Sequence, residues 1–127
     1  MKIFVLGHKG MLGHMVVKYL KSEGVDIITT NKKFPNWSPK MFARVDYIIN
    51  CIGAIPQKTK NFKINYELPE WLSKLAKKII HPGTDGENDN DEYGKSKKKA
   101  SNYILQYSIN TKILKTSIIG PELNTKN

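Results

Sequence analysis

The chain has 127 residues, a length that suits one domain with its own hydrophobic core, and its 39% hydrophobic and 25% charged residues are typical of a globular protein. No apolar run reaches the roughly eighteen residues of a membrane span, no signal peptide is expected ahead of the first strand, and the single Cys51 excludes an internal disulfide framework and suits the cytoplasm. The net charge of +10 comes almost entirely from lysine, with Arg44 the only arginine. We interpret it as a solvated surface rather than a nucleic-acid interface, because arginine is preferred for base and phosphate contacts.

The N-terminal stretch predicts a strand, a glycine turn and a helix. Ile3 to Leu6 is an unbroken apolar run, as in a strand covered on both faces. A helix should follow and end near Gly24, since apolar residues recur at helical spacing at Met11, Leu12, Met15, Val16, Tyr19 and Leu20. Such an arrangement places a pyrophosphate at the positive end of a helix.

Three glycines lie in this turn, each with a distinct expected role. Gly7 would allow the tight turn, Gly10 would let the backbone approach a phosphate, and Gly13 would let the helix pack close to the strand. The spacing is G-x-x-G-x-x-G, and an ordinary glycine-rich turn is the alternative to dinucleotide binding. The residues predicted to bind the cofactor here are Gly7, Lys9, Gly10, Met11, Leu12 and Gly13.

The second predicted strand, Val25 to Thr30, bears on the choice of cofactor. A site that prefers NAD usually presents a carboxylate at the end of this strand, whereas this chain continues Asn31-Lys32-Lys33. The lysines could accept a 2′-phosphate, which favours NADP(H) over NAD(H), or they could simply be surface residues. We include Asn31 and Lys32 in the predicted cofactor site.

The rest of the chain alternates between predicted strands and helices. Residues 31–44 are expected to form a loop. The further strands are expected at Val45 to Ile52, Ile79 to His81 and Lys112 to Ile119, and the further helices at Asn61 to Lys78 and about Tyr93 to Tyr107. The sequence therefore predicts an α/β, Rossmann-like, doubly wound parallel sheet of about five strands, with helices on both faces.

Candidate chemistry lies at the start of the last helix. Tyr93 and Lys97 are four residues apart, so they share a helix face. A nearby ammonium lowers the pKa of a phenol, which is ordinarily near 10, and lets it exchange a proton with a carbonyl oxygen. Thr84, at the end of the preceding strand, could hold that oxygen. Alone, a Tyr-x-x-x-Lys pair also arises on any lysine-rich helix.

Four motifs in order resemble the extended short-chain dehydrogenase/reductase family, especially sugar-nucleotide reductases and epimerases of the dTDP-4-dehydrorhamnose reductase type. They are the glycine turn, Asn50-Cys51-Ile52-Gly53, Thr84-Asp85-Gly86 and Tyr93-x-x-x-Lys97. The resemblance implies that Tyr93 donates a proton, that Lys97 positions the ribose and tunes the tyrosine, and that Thr84 binds the carbonyl. It also places Cys51, Ile52, Gly53 and Ala54 along the cofactor, with Asn65 supporting the site, and it implies no metal.

The chain also departs from that family in three places. The segment between Thr30 and Val45 lacks room for the usual third strand and its helix, and the loop from Thr84 to Tyr93 is short. The chain ends at Asn127, where the family's C-terminal substrate-binding part would begin. We therefore expect residues 1–127 to form a single dinucleotide-binding domain without that substrate domain.

Two functions fit these observations. The first is an NAD(P)-dependent reductase or epimerase of a nucleotide-linked keto sugar, which could form a homo-oligomer. The second is a non-catalytic or degenerate dinucleotide-binding module without a complete substrate site. A nucleic-acid-binding domain is a third hypothesis, and it depends on charge alone.

Overall fold

The computed structural model describes residues 1–53, 59, 61–83, 91–107 and 110–115. Five strands form one parallel sheet: β1 (Lys2–Leu6), β2 (Asp26–Ile28), β3 (Tyr47–Asn50), β4 (Lys78–Gly83) and β5 (Thr111–Lys115). The helices are α1 (Met11–Ser22), α2 (Ile64–Ser73) and α3 (Glu92–Tyr107), and a short 3-10 helix spans Pro39–Phe42. The predicted Rossmann-like α/β fold is confirmed.

The strand order is β2-β1-β3-β4-β5. β2 therefore lies on one side of β1, and the direction in which strands are added to the sheet reverses after β2. Because crossovers between parallel strands are right-handed, this reversal puts α1 on one face of the sheet and α2 and α3 on the other. Along β1, side chains alternate between the faces, and Ile3 and Val5 are as deeply buried as Phe4 and Leu6. Both faces of the sheet are therefore covered at β1.

The main apolar core lies on the α2 face. Phe4, Leu6 and Ile48 of the sheet form one buried cluster with Leu68 and Leu72 of α2. The segment between β2 and β3 closes one end of this core with buried Trp37 and Phe42, whose rings lie 6.2 Å apart in an edge contact. The predicted loop thus contains a 3-10 turn and contributes aromatic side chains to the core.

Several predictions of local structure need correction. β2 is shorter at both ends than the predicted Val25 to Thr30, and β4 is longer than the predicted Ile79 to His81. α2 is shorter than predicted, since it ends at Ser73 and Lys78 already belongs to β4. β3 is shorter at both ends than the predicted Val45 to Ile52. In α1, buried Gly13 faces the sheet, so part of the predicted inner stripe lies at the surface: Met11, Met15 and Tyr19 are 56%, 43% and 64% exposed. The predicted extension of the last strand beyond Lys115 lies outside the described residues.

Candidate cofactor cavity and polar layer

The glycine turn packs its backbone directly against α1 and β3. Gly7 has φ +80°, and a Cβ on it would lie 2.9 Å from the carbonyl carbon and oxygen of Cys51. A Cβ on Gly13 would lie 1.9 Å from the carbonyl oxygen of Gly7, far inside contact distance. The tight turn at Gly7 and the close helix packing at Gly13 are therefore both present, as their glycines predicted.

Gly10 differs from these two glycines. It caps the N-terminus of α1, and its N–H donates to the Gly7 carbonyl at 3.1 Å. A Cβ here would meet only that carbonyl oxygen, at an ordinary 3.5 Å. No side chain caps α1 and no acidic residue lies in its first turn, so the helix presents amide N–H groups and its positive end at this point.

A cavity of about 390 Å³ lies beside the turn. It brings the first predicted cofactor motif together with the segment after β2, and its size falls within the usual range for small-molecule sites. Its lining comprises Gly7, His8, Lys9, Gly10, Thr30, Asn31, Lys32, Lys33, Phe34, Trp37, Ile52 and Ile64. Met11, Leu12 and Gly13 are not part of that lining.

The segment after β2 that carries Lys32 and Lys33 is held in place by two hydrogen bonds. The indole Nε1 of Trp37 donates to the carbonyl of Lys32 at 3.0 Å, and the N–H of Lys32 donates to Oγ1 of Thr30 at 3.1 Å. Trp37 is buried among aromatic rings, so it anchors the segment to the core. Sequence reasoning missed Trp37 as part of the site. A tryptophan inside a stretch interpreted as a loop was the signal for it.

The end of β3 forms the next wall of the site. Ile52 lines the cavity, and the N–H of Cys51 donates to the carbonyl of Leu6 at 2.9 Å. Burial raises the pKa of the Cys51 thiol to about 12, so the thiol is protonated at neutral pH. Gly53 is exposed, and a Cβ on it would lie 3.3 Å from Oδ1 of Asn65. Ala54 lies outside the described residues.

Two of the predicted catalytic residues, Tyr93 and Lys97, lie on α3. Asp91 caps this helix, since its Oδ1 accepts from the N–H of Gly94 at 2.6 Å. Tyr93 is half-buried and makes an edge contact with the ring of Phe62 at 5.7 Å. Lys97 is only 8% exposed, and its Nζ donates to the carbonyl of Pro82 at 3.4 Å. Thr84 follows β4 directly and lies outside the described residues.

Polar side chains are concentrated between the sheet and the two helices of the α2 face. In the described part of the chain, the buried polar and charged side chains all belong to β3, β4, α2 or α3: Asn50, Asn65, His81, Ser96, Lys97 and Ser101. We call this set the polar layer. Its members on α3 extend the face that carries Tyr93, and polar residues at inward positions of a helix were the signal that sequence reasoning did not use.

One chain of hydrogen bonds crosses the polar layer. Nδ2 of Asn65 donates to Oγ of Ser96 at 3.1 Å, and that hydroxyl donates to the carbonyl of Tyr93 at 2.7 Å. Pro69 lies four residues after Asn65 inside α2 and has no N–H, so it cannot donate the usual helical bond to the Asn65 carbonyl. Through its side chain, Asn65 joins α2 to the first turn of α3.

Asn50 adds an unsatisfied donor to the layer. It is 1% exposed, and its Oδ1 accepts from the N–H of Ile52 at 3.1 Å, whereas its Nδ2 has no hydrogen-bond partner among the residues that the structure describes. The register places Asn50 next to His81, because Ile49 pairs with Ile80. A buried donor without a partner is rare in folded proteins and is often a feature of functional sites.

Two kinds of feature are absent from the described residues. Within residues 1–53, 59, 61–83, 91–107 and 110–115, no group of three or more histidine, cysteine, aspartate or glutamate side chains could hold a metal ion. No helix in the same ranges is both long enough and apolar enough to cross a membrane.

The NAD-dependent epimerase/dehydratase family model matches residues 3–112, a range that includes the glycine turn, the polar layer, Tyr93 and Lys97. The chain belongs to this family. No curated protein matches the sequence.

Several solved structures share the fold. A dTDP-4-dehydrorhamnose reductase from Clostridium acetobutylicum is 22% identical with a TM-score of 0.65, over 98% of this chain and 59% of that one. A UDP-rhamnose synthase from Acanthamoeba polyphaga mimivirus is 16% identical with a TM-score of 0.74, over 91% of this chain and 55% of that one. MoeE5, solved with UDP-glucose and NAD, is 11% identical with a TM-score of 0.72, over 91% and 53%. The chain thus spans between half and three-fifths of the length of each.

Proposed function

We propose that this family member binds a nicotinamide dinucleotide across the carboxyl ends of β1 and β3. We further propose that it acts as a reductase or epimerase on a nucleotide-linked keto sugar. Gly10 carries the cofactor part of the proposal, because the fold itself does not require a glycine at that position. A backbone without a Cβ there leaves room for a phosphate at the N-terminus of α1.

The residues of the cavity fit such a cofactor. The turn from Gly7 to Gly10 would hold the pyrophosphate, Lys32 and Lys33 would accept a 2′-phosphate, and Ile52 would lie along the cofactor. The two lysines and the lack of a carboxylate after β2 support NADP(H) over NAD(H). When bound, the nicotinamide supplies or accepts the hydride.

Proton transfer is the proposed task of Tyr93. Its phenol would donate a proton from Oη to the sugar carbonyl oxygen, or remove one in the reverse direction. A Lys97 ammonium close to Oη would favour the phenolate of Tyr93. Lys97 is only 8% exposed and its Nζ donates to the Pro82 carbonyl, so the ammonium is held in place on the helix face that carries Tyr93, which supports this role. Thr84 remains the proposed partner of the carbonyl.

The test separates binding from turnover. In Tyr93→Phe, turnover of a nucleotide-linked keto sugar should be abolished, while NADPH affinity, measured by nicotinamide fluorescence, should be unchanged. Full activity in that variant would contradict the assignment of Tyr93. Titration with NADPH and NADH, in the chain and in Lys32→Ala/Lys33→Ala, tests the cofactor. Replacement of Lys32 and Lys33 should weaken the binding of NADPH more than that of NADH. Lys21→Ala, on the exposed surface of α1, should leave both affinities unchanged.

The alternative proposal is a non-catalytic dinucleotide-binding module, which the cavity beside the glycine turn alone would support. It predicts NADPH binding that matches the first proposal but no turnover by the 127-residue chain. Turnover by that chain would exclude the alternative.

A further inference from the structure

The two lysines after β2 lie at the surface, yet their backbone is held by hydrogen bonds. Lys32 and Lys33 are exposed and belong to no helix or strand. The N–H of Lys32 donates to Oγ1 of Thr30 at 3.1 Å, and its carbonyl accepts from Nε1 of Trp37 at 3.0 Å. The carbonyl of Lys33 accepts from the N–H of Asn36 at 2.9 Å. The backbone that carries both side chains is therefore fixed, unlike that of an ordinary surface loop.

The bond from Trp37 is the one that ties this backbone to the core. The other two bonds join residues that all precede Trp37. The Trp37 ring is 9% exposed, and it makes edge contacts at centroid distances of 5.4 to 6.2 Å with three aromatic rings, those of Phe34, Phe42 and Trp71. Because the indole N–H is rigidly joined to this packed ring, core packing sets the position of the Lys32 carbonyl.

The charge of the cavity suits a phosphate group. Its described lining includes Lys9, Lys32 and Lys33 and contains no carboxylate. A lysine side chain loses conformational freedom when it binds an anion, and a backbone that is already fixed lowers this cost because only the side chain remains to be ordered. A phosphate monoester carries close to two negative charges at neutral pH, so it gains most from such a site. The 2′-phosphate is the group that distinguishes NADPH from NADH.

We propose that Trp37 is a positioning residue that sets the preference of this chain for NADPH over NADH. Through the Lys32 carbonyl, its indole N–H holds Lys32 and Lys33 where their ammonium groups meet the 2′-phosphate. This inference rests on the proposed cofactor site and adds to it a residue that acts through its neighbours. Phenylalanine at this position would keep an aromatic ring in the core and remove the donor, so both lysines would remain but lose their fixed position.

Substitution of two tryptophans in the same aromatic cluster tests the proposal. NADPH and NADH are titrated against the whole chain by nicotinamide fluorescence, and the ratio of their dissociation constants is compared between variants. In Trp37→Phe, the preference for NADPH should fall at least about tenfold, because the Lys32 carbonyl loses its donor. Trp71→Phe is the matched control, since Trp71 packs edge-on against Trp37 and its substitution leaves that donor in place. It should leave the ratio unchanged, whereas a merely structural role of Trp37 would weaken both dinucleotides alike.

Two further variants act on the same backbone and on the lysines that it carries. Thr30→Val removes the acceptor of the Lys32 N–H and should lower the preference for NADPH about threefold. In a Lys32→Ala/Lys33→Ala chain, Trp37→Phe should change both affinities equally, because the ammonium groups that it positions are gone.

The outcomes separate this proposal from the proposed function. An unchanged ratio in Trp37→Phe, or in Thr30→Val where the first variant does not fold, would overturn the positioning role and leave the proposed cofactor site intact. An effect of Trp37→Phe on the ratio that persists without Lys32 and Lys33, or a wild-type chain without a preference for NADPH, would also overturn it. A wild-type chain that binds neither dinucleotide would overturn the proposed function as well.

Discussion

The glycine turn and the polar layer are held together by different kinds of contact. In the turn, backbone packs on backbone, and Gly13 touches the carbonyl of Gly7 without a side chain between them. In the polar layer, α2 and α3 are joined through side chains, with Asn65 donating to Ser96. The first region is fixed by shape over seven residues, and the second by hydrogen bonds between residues 31 positions apart. Substitutions should therefore damage them in different ways.

The largest effect is expected in the turn. Gly13→Ala would place a Cβ 1.9 Å from the Gly7 oxygen, and α1 would have to move away from β1. Such overpacking is destabilising by about 3 kcal/mol or more, and urea denaturation measures it. A loss below about 1 kcal/mol would show that α1 can shift without disturbing the turn, contrary to the packing described here.

The contrast also explains what the sequence could predict. The turn is local, so three glycines between an apolar run and a helical pattern were enough to predict its conformation. The exposure of Met15 and Tyr19 was not predicted, because helical periodicity shows which residues share a face but not which face meets the sheet.

The polar layer could be predicted only in part. Tyr93 and Lys97 were found from their spacing of four residues, and Asn65 through the resemblance to a family. Ser96 and Ser101 were missed, because a serine on a helix can lie at the surface or be buried. Which of the two applies depends on the element that packs against the helix, and the local sequence does not show that element. Thr84 and Ala54 were predicted site residues that lie outside the described part of the chain.

In the polar layer we expect a smaller but coupled effect. Asn65→Ala removes the donor to Ser96 from a position 2% exposed, which should lower the free energy of unfolding by about 2 kcal/mol. Ser96→Ala should have a similar effect. Because the two side chains share one hydrogen bond, the double variant should lose about 1 kcal/mol less than the sum. Additive losses, measured by chemical denaturation, would show that the bond does not join the helices energetically.

Cys51 lies between the two regions and should respond to pH. Its pKa of about 12 lies above the value of 9.0 for a free thiol, so the folded chain keeps the proton that the unfolded chain loses. The stabilisation that comes from this tighter proton binding is fully present below about pH 9. It is lost as the pH rises toward 12. At about pH 10 the loss should be about 1.4 kcal/mol. Compared with Cys51→Ser, the wild type should show this extra decrease between neutral pH and pH 10, and parallel curves would contradict it.

The smallest effect on stability is expected at Gly10. A Cβ there meets only the Gly7 oxygen at 3.5 Å, so Gly10→Ala should change the free energy of unfolding by a few tenths of a kcal/mol. The same methyl group would occupy the proposed phosphate position, so NADPH affinity should fall at least about tenfold. Gly13→Ala should change the stability of the fold, whereas Gly10→Ala should change cofactor affinity and leave the stability nearly unchanged. Unchanged NADPH affinity in a stable Gly10→Ala chain would mean that the cofactor phosphates lie elsewhere, even though the turn adopts the shape that its glycines predicted.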